Sequence, residues 1–200
     1  MPTLGITGGI GTGKSTFTVS LLREFPADVF DADRCAHELL VNEPSVRREI
    51  LKEFGPEMIG LDGNPDRARL REVVFQDAAK RSILESILHP AIRERWTAKA
   101  KQACCSGDWL FVDIPLLFET AAEVHCDCVA VVACSSNTQL RRLLQMRGIT
   151  EELAAPIIAS QLDLSAKIRK ADHLIWNDST LSCLDQQTRL FTGLLRSRYG

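Results

Sequence analysis

The sequence predicts an α/β fold in which a parallel sheet is covered by helices on both of its faces. Two continuous apolar segments, "WLFVDI" (109–114) and "CVAVVACS" (128–135), are typical of strands that have no solvent-exposed face. Segments of helical periodicity separate these strands from the others, which is how parallel neighbours are connected. In such sheets ligands bind at the carboxyl ends of the strands, so we expect the functional residues there.

Five strands are expected in chain order. The first is "LGIT" (4–7), which is followed at once by glycines and by the helical run "STFTVSLLREF". The second is "DVFDAD" (28–33), the third and fourth are the two apolar segments, and the fifth is "HLIWN" (173–177). An amphipathic helix from about Leu181 to Arg196 follows the last strand.

Two segments exceed a simple alternation of strands and helices. Residues 34–106 have a mostly helical pattern, which predicts a helical subdomain inserted after the second strand, and Pro90 is expected to interrupt the helix of "RSILESILHP". Residues 139–165 are expected to form a lid of two helices that are separated at Gly148, with Thr150 as the cap of the second. The core of this single domain would comprise residues 1–33, 107–138 and 171–200.

The charge and the composition exclude several classes of partner. The 200 residues include 24 basic and 26 acidic side chains, so no excess of positive charge is available to neutralise a nucleic acid or an anionic membrane. No apolar run approaches the ~18 residues that span a bilayer, and no basic leader precedes the first apolar residues. We therefore expect a soluble cytoplasmic protein that binds neither nucleic acid nor membrane.

The seven cysteines have neither a C-x-x-C pair nor the spacing of a zinc site, so we expect reduced thiols. An alternative groups His125, Cys126 and Cys128 as metal ligands. Small buried thiols at the start of a strand are the preferred interpretation, because a fourth ligand is not evident in the sequence.

The segment "GITGGIGTGKST" (5–16) contains the clearest chemical motif. Gly8, Gly13, Lys14 and Ser15 satisfy the pattern G-x-x-x-x-G-K-[ST] of a P-loop. Glycines let backbone N–H groups turn inward around an anion, and the helix that follows points its N-terminal N–H groups at the same place. Lys14 would reach the β- and γ-phosphates of ATP, and the Ser15 hydroxyl would ligate Mg²⁺. The expected ATP-binding residues are Gly8, Gly9, Gly11, Thr12, Gly13, Lys14, Ser15 and Thr16.

The alternative for this motif is a glycine-rich turn that binds no ligand. Its position between a strand and a helix favours the phosphate cradle. The motif and the pattern of strands together predict the three-layer fold of the P-loop NTPases.

Acidic residues at two strand ends are candidates for the remaining chemistry. Asp31 and Asp33 would point the same way at the end of an extended strand, where one of them could accept the proton of an incoming hydroxyl. Alternatively, Asp33 caps the helix that starts at Arg34. Asp113 ends the third strand, where it would either steady Mg²⁺ through water or form a turn before Pro115.

Three arginines, Arg141, Arg142 and Arg147, lie in the expected lid. There their guanidinium groups could fold onto the triphosphate and offset negative charge in the transition state. Arginines on an exposed helix surface would produce the same pattern.

Further motifs follow the P-loop in order: "DADRCAHELL", "DRARLREVVFQ" with "LESILHPAI", "DIPLLFE", an arginine-containing helical hairpin that ends in "ASQ", and "ADHLIWN". Together with "LGITGGIGTGKST" they resemble the dephospho-CoA kinase family over nearly the whole chain. The P-loop is shared with many families, whereas "DADRCAHELL" combined with "LHPAI" and "PLLFE" is much more specific. The resemblance implies a five-stranded parallel core, a helical substrate-binding domain and a lid.

The resemblance also implies an activity. The family transfers the γ-phosphoryl group of ATP to the ribose 3′-hydroxyl of dephospho-CoA, the last step of coenzyme A synthesis, with Mg²⁺ as cofactor. It implies that Asp33 is the base, and that Arg67 and His89 help to hold the CoA portion. Glu119 matches the family in "PLLFE".

The expected lid departs from the family pattern. Gly148 directly follows Arg147 where the family commonly has an acidic residue, and Ile157 stands where many members have an arginine. The lid therefore carries less positive charge, which leaves Arg141 or Arg147 as the expected triphosphate contacts. After the last strand, "NDS" (177–179) stands in place of N-x-G.

Two other functions compete with this interpretation. One is a nucleoside or nucleotide kinase that uses the same core on a smaller acceptor. The other is a nucleotide-switched interaction protein, against which stand the long helical insertion and the lack of an N-K-x-D stretch. We expect ATP and dephospho-CoA as substrates and no obligatory protein partner.

Overall fold

The computed structural model of the protein describes residues 2–147 and 150–199, without the side chains of Phe75, Met146 and Arg147. Within these residues, five parallel strands form one sheet in the order β2-β3-β1-β4-β5. The strands are β1 (Thr3–Gly8), β2 (Asp28–Asp31), β3 (Leu110–Asp113), β4 (Cys128–Ala133) and β5 (His173–Trp176). The five predicted strands and the parallel α/β fold are confirmed.

The pairing of the strands aligns their carboxyl ends. Ile6 of β1 pairs with Asp113 of β3, and Gly8 of β1 pairs with Val132 of β4. The loop that follows β1 therefore starts beside the last residues of both neighbouring strands, which is the edge where parallel sheets bind their ligands.

Helices occupy most of the remaining described chain. They are α1 (Lys14–Glu24), α2 (Ala32–Asn42), α3 (Pro44–Phe54), α4 (Arg67–Gln76), α5 (Ala78–Ser106), α6 (Ser136–Arg147), α7 (Glu151–Ala159), α8 (Leu164–Lys170) and α9 (Leu181–Tyr199). Two short 3₁₀ helices cover Pro56–Met58 and Ala122–His125. None of the helices in the described residues combines the length and the apolar character needed to cross a membrane.

The chain forms two compact units. One comprises Met1–Phe30 and Lys99–Gly200, and the other comprises Asp31–Ala98. The first unit holds the P-loop and nearly all of the sheet, and the second holds the helices from α2 to most of α5. The expected division into core, substrate-binding insertion and lid stays a prediction.

In the first unit, α1 and α9 cover one face of the sheet. Side chains alternate between the faces of a strand, so Leu4 and Ile6 of β1 point to the same side, and both are fully buried. They share one apolar cluster with Phe17 of α1 and Phe191 of α9, whose ring centroids lie 5.9 Å apart. The opposite face carries α8, which packs against β4.

The second unit has its own buried core. Val46 and Ile50 of α3 lie on one helical face and are 4% and 0% exposed. Trp96 of α5 is 1% exposed. Arg95 lies 3.9 Å from Glu38 and 3.8 Å from Glu43, and such half-exposed ion pairs add little stability. Burial of the apolar helix faces therefore holds this unit together.

The interruption predicted at Pro90 is wrong, because α5 continues through it. Proline lacks the N–H that would bond to the carbonyl of Ser86, one turn earlier, and its ring crowds that carbonyl. Ile87 and Leu88, in the helical turn before Pro90, are buried. Their packing offsets the local cost of the proline, which is itself exposed.

The two helices predicted after β4 are confirmed as α6 and α7, while the predicted break at Gly148 lies outside the described residues. Thr150 occupies the N-cap position of α7, but in the described structure its side chain accepts no capping hydrogen bond. The short helix α8 is not predicted by the sequence pattern. Asp163 caps it by accepting a hydrogen bond from the Ala166 N–H at 3.1 Å.

The cysteines at the start of β4 are protonated thiols at neutral pH. Burial raises the pKa of Cys126 to about 12 and the pKa of Cys128 to about 11. A protonated thiol is a poor metal ligand. In the described part of the chain, no group of three His, Cys, Asp or Glu side chains could hold a metal ion.

Candidate phosphate-binding site

The P-loop connects β1 to α1 through a backbone that only glycine adopts easily. Gly11 has a φ of 76° and Gly13 has a φ of 89°, both in the left-handed region. Gly13 is the N-cap of α1 and supplies no side chain to the helix terminus. The first N–H groups of α1 are therefore available to an anion.

The carbonyl groups of the P-loop are held from outside the loop. The Ile10 carbonyl accepts a hydrogen bond from Gln139 Nε2 at 2.7 Å. The Thr12 carbonyl accepts from Arg142 Nη1 at 3.1 Å and from Asn177 Nδ2 at 2.9 Å. Since the C=O and N–H of a trans peptide point in opposite directions, the N–H groups of Gly11 and Gly13 face away from these side chains. This arrangement keeps the two N–H groups available to an anion.

Lys14 and Asp113 form an ion pair beside the loop. Lys14 is the first residue of α1, and Asp113 is the last residue of β3, the strand next to β1. Asp113 is 8% exposed, and its second carboxylate oxygen accepts a hydrogen bond from the Thr18 hydroxyl at 3.3 Å. The sequence pattern suggested a separate role for each residue and did not predict their contact.

Ser15 and Thr16 follow in the first turn of α1, and both are exposed. Their hydroxyl groups are accessible at the helix end that faces the strand edge. Thr12, by contrast, is fully buried and closes the loop by donating from its hydroxyl to the Gly9 carbonyl at 2.8 Å.

The segment after β5 ties the sheet to the P-loop. Asn177 is 6% exposed; its N–H donates to the Ala133 carbonyl at 2.7 Å, while its amide reaches Thr12. Asp178 accepts hydrogen bonds from the N–H and the hydroxyl of Ser135 at 3.1 and 2.9 Å. The hydrogen bond from the Thr138 side chain, followed by the bond from the Ser135 N–H, lowers the pKa of Asp178.

The arginines of the expected lid occupy different positions. Arg142 is half-buried and donates a hydrogen bond to the Thr12 carbonyl of the P-loop, a contact that the sequence did not predict. The expectation that Arg141 or Arg147 contacts the triphosphate stays a prediction. Arg141 is exposed. Arg147 is the last residue of α6, and its side chain lies outside the described residues.

The remaining predicted site residues belong to the second unit. Asp31 rather than Asp33 caps α2, by accepting a hydrogen bond from the Arg34 N–H at 3.0 Å, so the capping alternative for Asp33 is wrong. The helix starts at Ala32, two residues earlier than that alternative required, and Asp33 is exposed in its first turn.

Arg67 and His89 lie on two other helices of that unit. Arg67 is exposed at the first position of α4. His89 is half-buried within α5, where burial, ahead of the opposing effect of Glu85, lowers its pKa. It is therefore neutral at pH 7.

Glu119 forms contacts with a backbone N–H and with a buried lysine that the sequence pattern does not reveal. Its Oε1 accepts hydrogen bonds from the Leu162 N–H and from the ammonium group of Lys167, each at 2.8 Å. The Lys167 side chain is completely buried, and it also donates to the Pro115 carbonyl at 2.8 Å. A lysine in the charged stretch "LSAKIRK" is expected at a helix surface, so only the tertiary structure identifies this contact.

A family model of dephospho-CoA kinase matches residues 2–182. The chain belongs to the dephospho-CoA kinase family. A dephospho-CoA kinase of Geobacillus kaustophilus is 39% identical over 179 residues, which cover 89% of each chain. A dephospho-CoA kinase of Carboxydothermus hydrogenoformans is 35% identical over 188 residues, covering 94% of this chain and 91% of the relative.

Solved structures agree with membership of the dephospho-CoA kinase family. A protein of Thermus thermophilus superposes with a TM-score of 0.78 at 29% identity, covering 100% of this chain and 98% of that one. The dephospho-CoA kinase from Campylobacter jejuni superposes with a TM-score of 0.72 at 27% identity, covering 98% of both chains. A shikimate kinase from Acinetobacter baumannii, with a TM-score of 0.55 at 13% identity, shares the fold alone. The predicted P-loop kinase fold is confirmed.

Proposed function

We propose that the protein transfers the γ-phosphoryl group of ATP to the 3′-hydroxyl of the ribose of dephospho-CoA, giving CoA and ADP. The observation that carries the proposal is the match to the dephospho-CoA kinase family over residues 2–182, which includes a complete P-loop. The fold of that loop suits a phosphate chain, because α1 starts directly after it with no side chain capping the helix terminus, and a helix N-terminus favours an anion.

The P-loop and Lys14 hold the β- and γ-phosphates in this proposal. Lys14 lies at the start of α1 and is paired with Asp113 in the protein alone. A polyphosphate carries more negative charge than a carboxylate, so ATP competes with Asp113 for the ammonium group. Lys14 then stabilises the charge that develops on the transferred group.

The residues at this edge suit Mg²⁺. The ion prefers oxygen ligands and keeps several waters, so one or two side chains together with substrate phosphates are sufficient to hold it. The exposed Ser15 hydroxyl would be a direct ligand, and the Asp113 carboxylate would act through water. Bound Mg²⁺ would neutralise part of the charge on the phosphates.

Asp33 is the proposed base. Its carboxylate is exposed in the first turn of α2, and the neighbouring Asp31 carries out the capping of that helix. In the reaction, the 3′-hydroxyl oxygen forms a bond to the γ-phosphorus while the bond from that phosphorus to the bridging oxygen breaks. The hydroxyl proton passes to Asp33, and the bridging oxygen leaves as part of ADP.

The arginines and the second unit supply the remaining contacts. Arg141 and Arg147 are proposed to offset charge on the triphosphate in the transition state. Arg67, exposed at the start of α4, and the neutral His89 are proposed to hold the CoA portion.

An acceptor screen tests the proposed function. The purified protein is mixed with Mg·ATP, and ADP formation is followed in separate reactions that contain dephospho-CoA, a nucleoside, a nucleoside monophosphate or buffer alone. ADP formation that depends on dephospho-CoA, with CoA as the second product, is the expected result. Faster turnover with a nucleoside or a monophosphate would identify a smaller acceptor, and slow hydrolysis that no acceptor accelerates would favour a nucleotide switch.

The same assay bears on the expected partners. Full activity of the purified protein alone would support the absence of an obligatory protein partner. The cytoplasmic location expected from the sequence stays a prediction.

A further inference from the structure

Two glutamine side chains hold the backbone N–H and the backbone carbonyl of Ile10 in the P-loop. Ile10 donates its N–H to Gln161 Oε1 at 2.9 Å, and its carbonyl accepts from Gln139 Nε2 at 2.7 Å. Gln139 lies on α6 and is 5% exposed, while Gln161 lies between α7 and α8. Both bonds join segments more than a hundred residues apart in the chain, at separations of 151 and 129 residues.

The two bonds fix two consecutive peptide planes. Gln161 holds the peptide between Gly9 and Ile10 through its N–H, and Gln139 holds the peptide between Ile10 and Gly11 through its C=O. The second peptide also carries the Gly11 N–H, which points away from Gln139. Gln139 therefore determines where the Gly11 N–H is aimed, and Gln161 keeps the Ile10 N–H out of the cradle.

Glycine at position 9 makes room for this contact. A Cβ added to Gly9 would lie 2.8 Å from Gln139 Nε2, which is closer than real Cβ atoms come to a heavy atom. The glycine therefore serves the approach of Gln139 in addition to the approach of an anion.

Gln161 is itself held in place by the hydrogen bonds and the ion pair of Glu119. The N–H of the next residue, Leu162, donates to Glu119 Oε1, which also pairs with Lys167. Lys167 donates to the Pro115 carbonyl, which accepts a further bond from the Thr7 hydroxyl at 3.0 Å. Thr7 directly precedes Gly8, so the network returns to the strand from which the P-loop starts.

We propose that Gln139 and Gln161 are positioning residues that pre-organise the phosphate cradle by fixing the two peptide groups on either side of Ile10. The inference rests on the proposed function insofar as the cradle receives the triphosphate of ATP. A cradle whose N–H groups are already aimed needs no reorganisation when charge develops in the transition state. The two side chains act through Ile10 and the backbone.

The opposite use of the two amides provides a matched test. Gln161→Glu keeps an oxygen that accepts from the Ile10 N–H, whereas Gln139→Glu replaces the donor nitrogen with an oxygen that faces the Ile10 carbonyl. Both substitutions preserve the shape of the side chain and add one negative charge next to the backbone of Ile10. The difference between the two variants therefore isolates the hydrogen bond from the charge. Gln139→Met and Gln161→Met remove either bond without adding charge.

The measurements are the affinity for inorganic tripolyphosphate by calorimetry, kcat/KM for ATP, and KM for dephospho-CoA. We expect Gln139→Glu to bind tripolyphosphate and to use ATP at least ~10-fold less well than Gln161→Glu, because it removes the donor to the partly buried Ile10 carbonyl and places a carboxylate oxygen against it. Both methionine variants should lose ~10-fold in kcat/KM for ATP with an unchanged KM for dephospho-CoA. Thermal unfolding identifies any variant that has lost its fold, and the proposal is then judged on the variants that remain folded.

Equal losses in the two glutamate variants would mean that charge alone acts, and would overturn the proposal. Methionine variants with wild-type affinity for tripolyphosphate would overturn it as well. Tripolyphosphate binding needs no phosphoryl acceptor, so the roles of Gln139 and Gln161 are tested even if dephospho-CoA fails to accelerate ADP formation in the wild-type protein. A wild-type protein that dephospho-CoA does not accelerate would overturn the proposed function and leave the test of the two glutamines intact.

Discussion

Lys167 Nζ lies 2.8 Å from Glu119 Oε1, and the lysine side chain is completely buried. The Glu119 side chain is 21% exposed, so only the ammonium end of the pair is buried. Removal of the carboxylate leaves the buried ammonium group without its counter-ion, which costs more than the pair itself contributes. Because water reaches Glu119, we expect Glu119→Gln to cost less than the loss of a fully buried pair and to lower the free energy of unfolding by ~2 kcal/mol, measured by denaturant titration.

A surface ion pair provides the control for Glu119. Arg189 and Glu24 lie 3.1 Å apart with the arginine side chain 67% exposed, so Glu24→Gln should cost less than ~1 kcal/mol. If Glu119→Gln costs no more than Glu24→Gln, the Lys167 charge is stabilised by other groups and the network is not centred on this pair.

Asp113 should restrain Lys14 until nucleotide arrives. In buffer that contains EDTA, we expect Asp113→Asn to bind tripolyphosphate ~10-fold more tightly, because a carboxylate is removed from the vicinity of an anion and Lys14 is released. With Mg²⁺ present the same variant should lose ~10-fold or more in turnover, as residues that hold a metal through water commonly do. The matched variant Lys14→Ala should weaken both the binding of tripolyphosphate and the turnover with Mg²⁺ and ATP. Weaker tripolyphosphate binding by Asp113→Asn in EDTA would contradict the restraint.

Asp33 and Asp31 should separate catalysis from stability. Asp33→Asn is expected to leave ATP affinity nearly intact and to reduce turnover with dephospho-CoA by ~10² or more, since it removes the proposed base. Asp31→Ala removes the cap of α2 and should cost ~1 kcal/mol of stability while retaining turnover. Urea titrations measure the stability of both variants, and initial rates measure their turnover. Unchanged turnover in Asp33→Asn would show that another group accepts the proton.

The sequence predicts the sheet and the P-loop because their signals are local. Continuous apolar runs identify β3 and β4, and the motif around Gly13 and Lys14 stands between a strand and a helix. A local signal can also mislead, as at Pro90, because the rule that proline breaks helices takes no account of the buried residues beside it.

The residues that hold the P-loop in place cannot be found from local sequence signals. Gln139 and Gln161 are neutral side chains whose shared partner, Ile10, is remote in the sequence. Lys167 stands in a charged stretch that is typical of a helix surface, and its burial follows only from the packing of α8 on β4. Pairings of this kind are set by tertiary structure, which composition and periodicity do not encode.

His173, at the start of β5, should make the protein less stable in acid. Burial, more than any charge, lowers the pKa of His173; Asp172 opposes this effect and Arg198 adds to it. Its Nε2 is buried without a hydrogen-bond partner among the described residues, and its ring packs against Phe191 with centroids 5.2 Å apart. The unfolded chain thus binds a proton more readily than the folded one.

The stability linked to His173 is complete above the unfolded pKa of ~6.5 and is lost as the pH falls toward the lower folded pKa. We expect His173→Phe, which keeps an aromatic ring beside Phe191, to lose less unfolding free energy than the wild type between pH 7 and pH 5, roughly the window in which histidine titrates. If the unfolding free energies of the two proteins change in parallel with pH, the pKa of His173 is not lowered by folding.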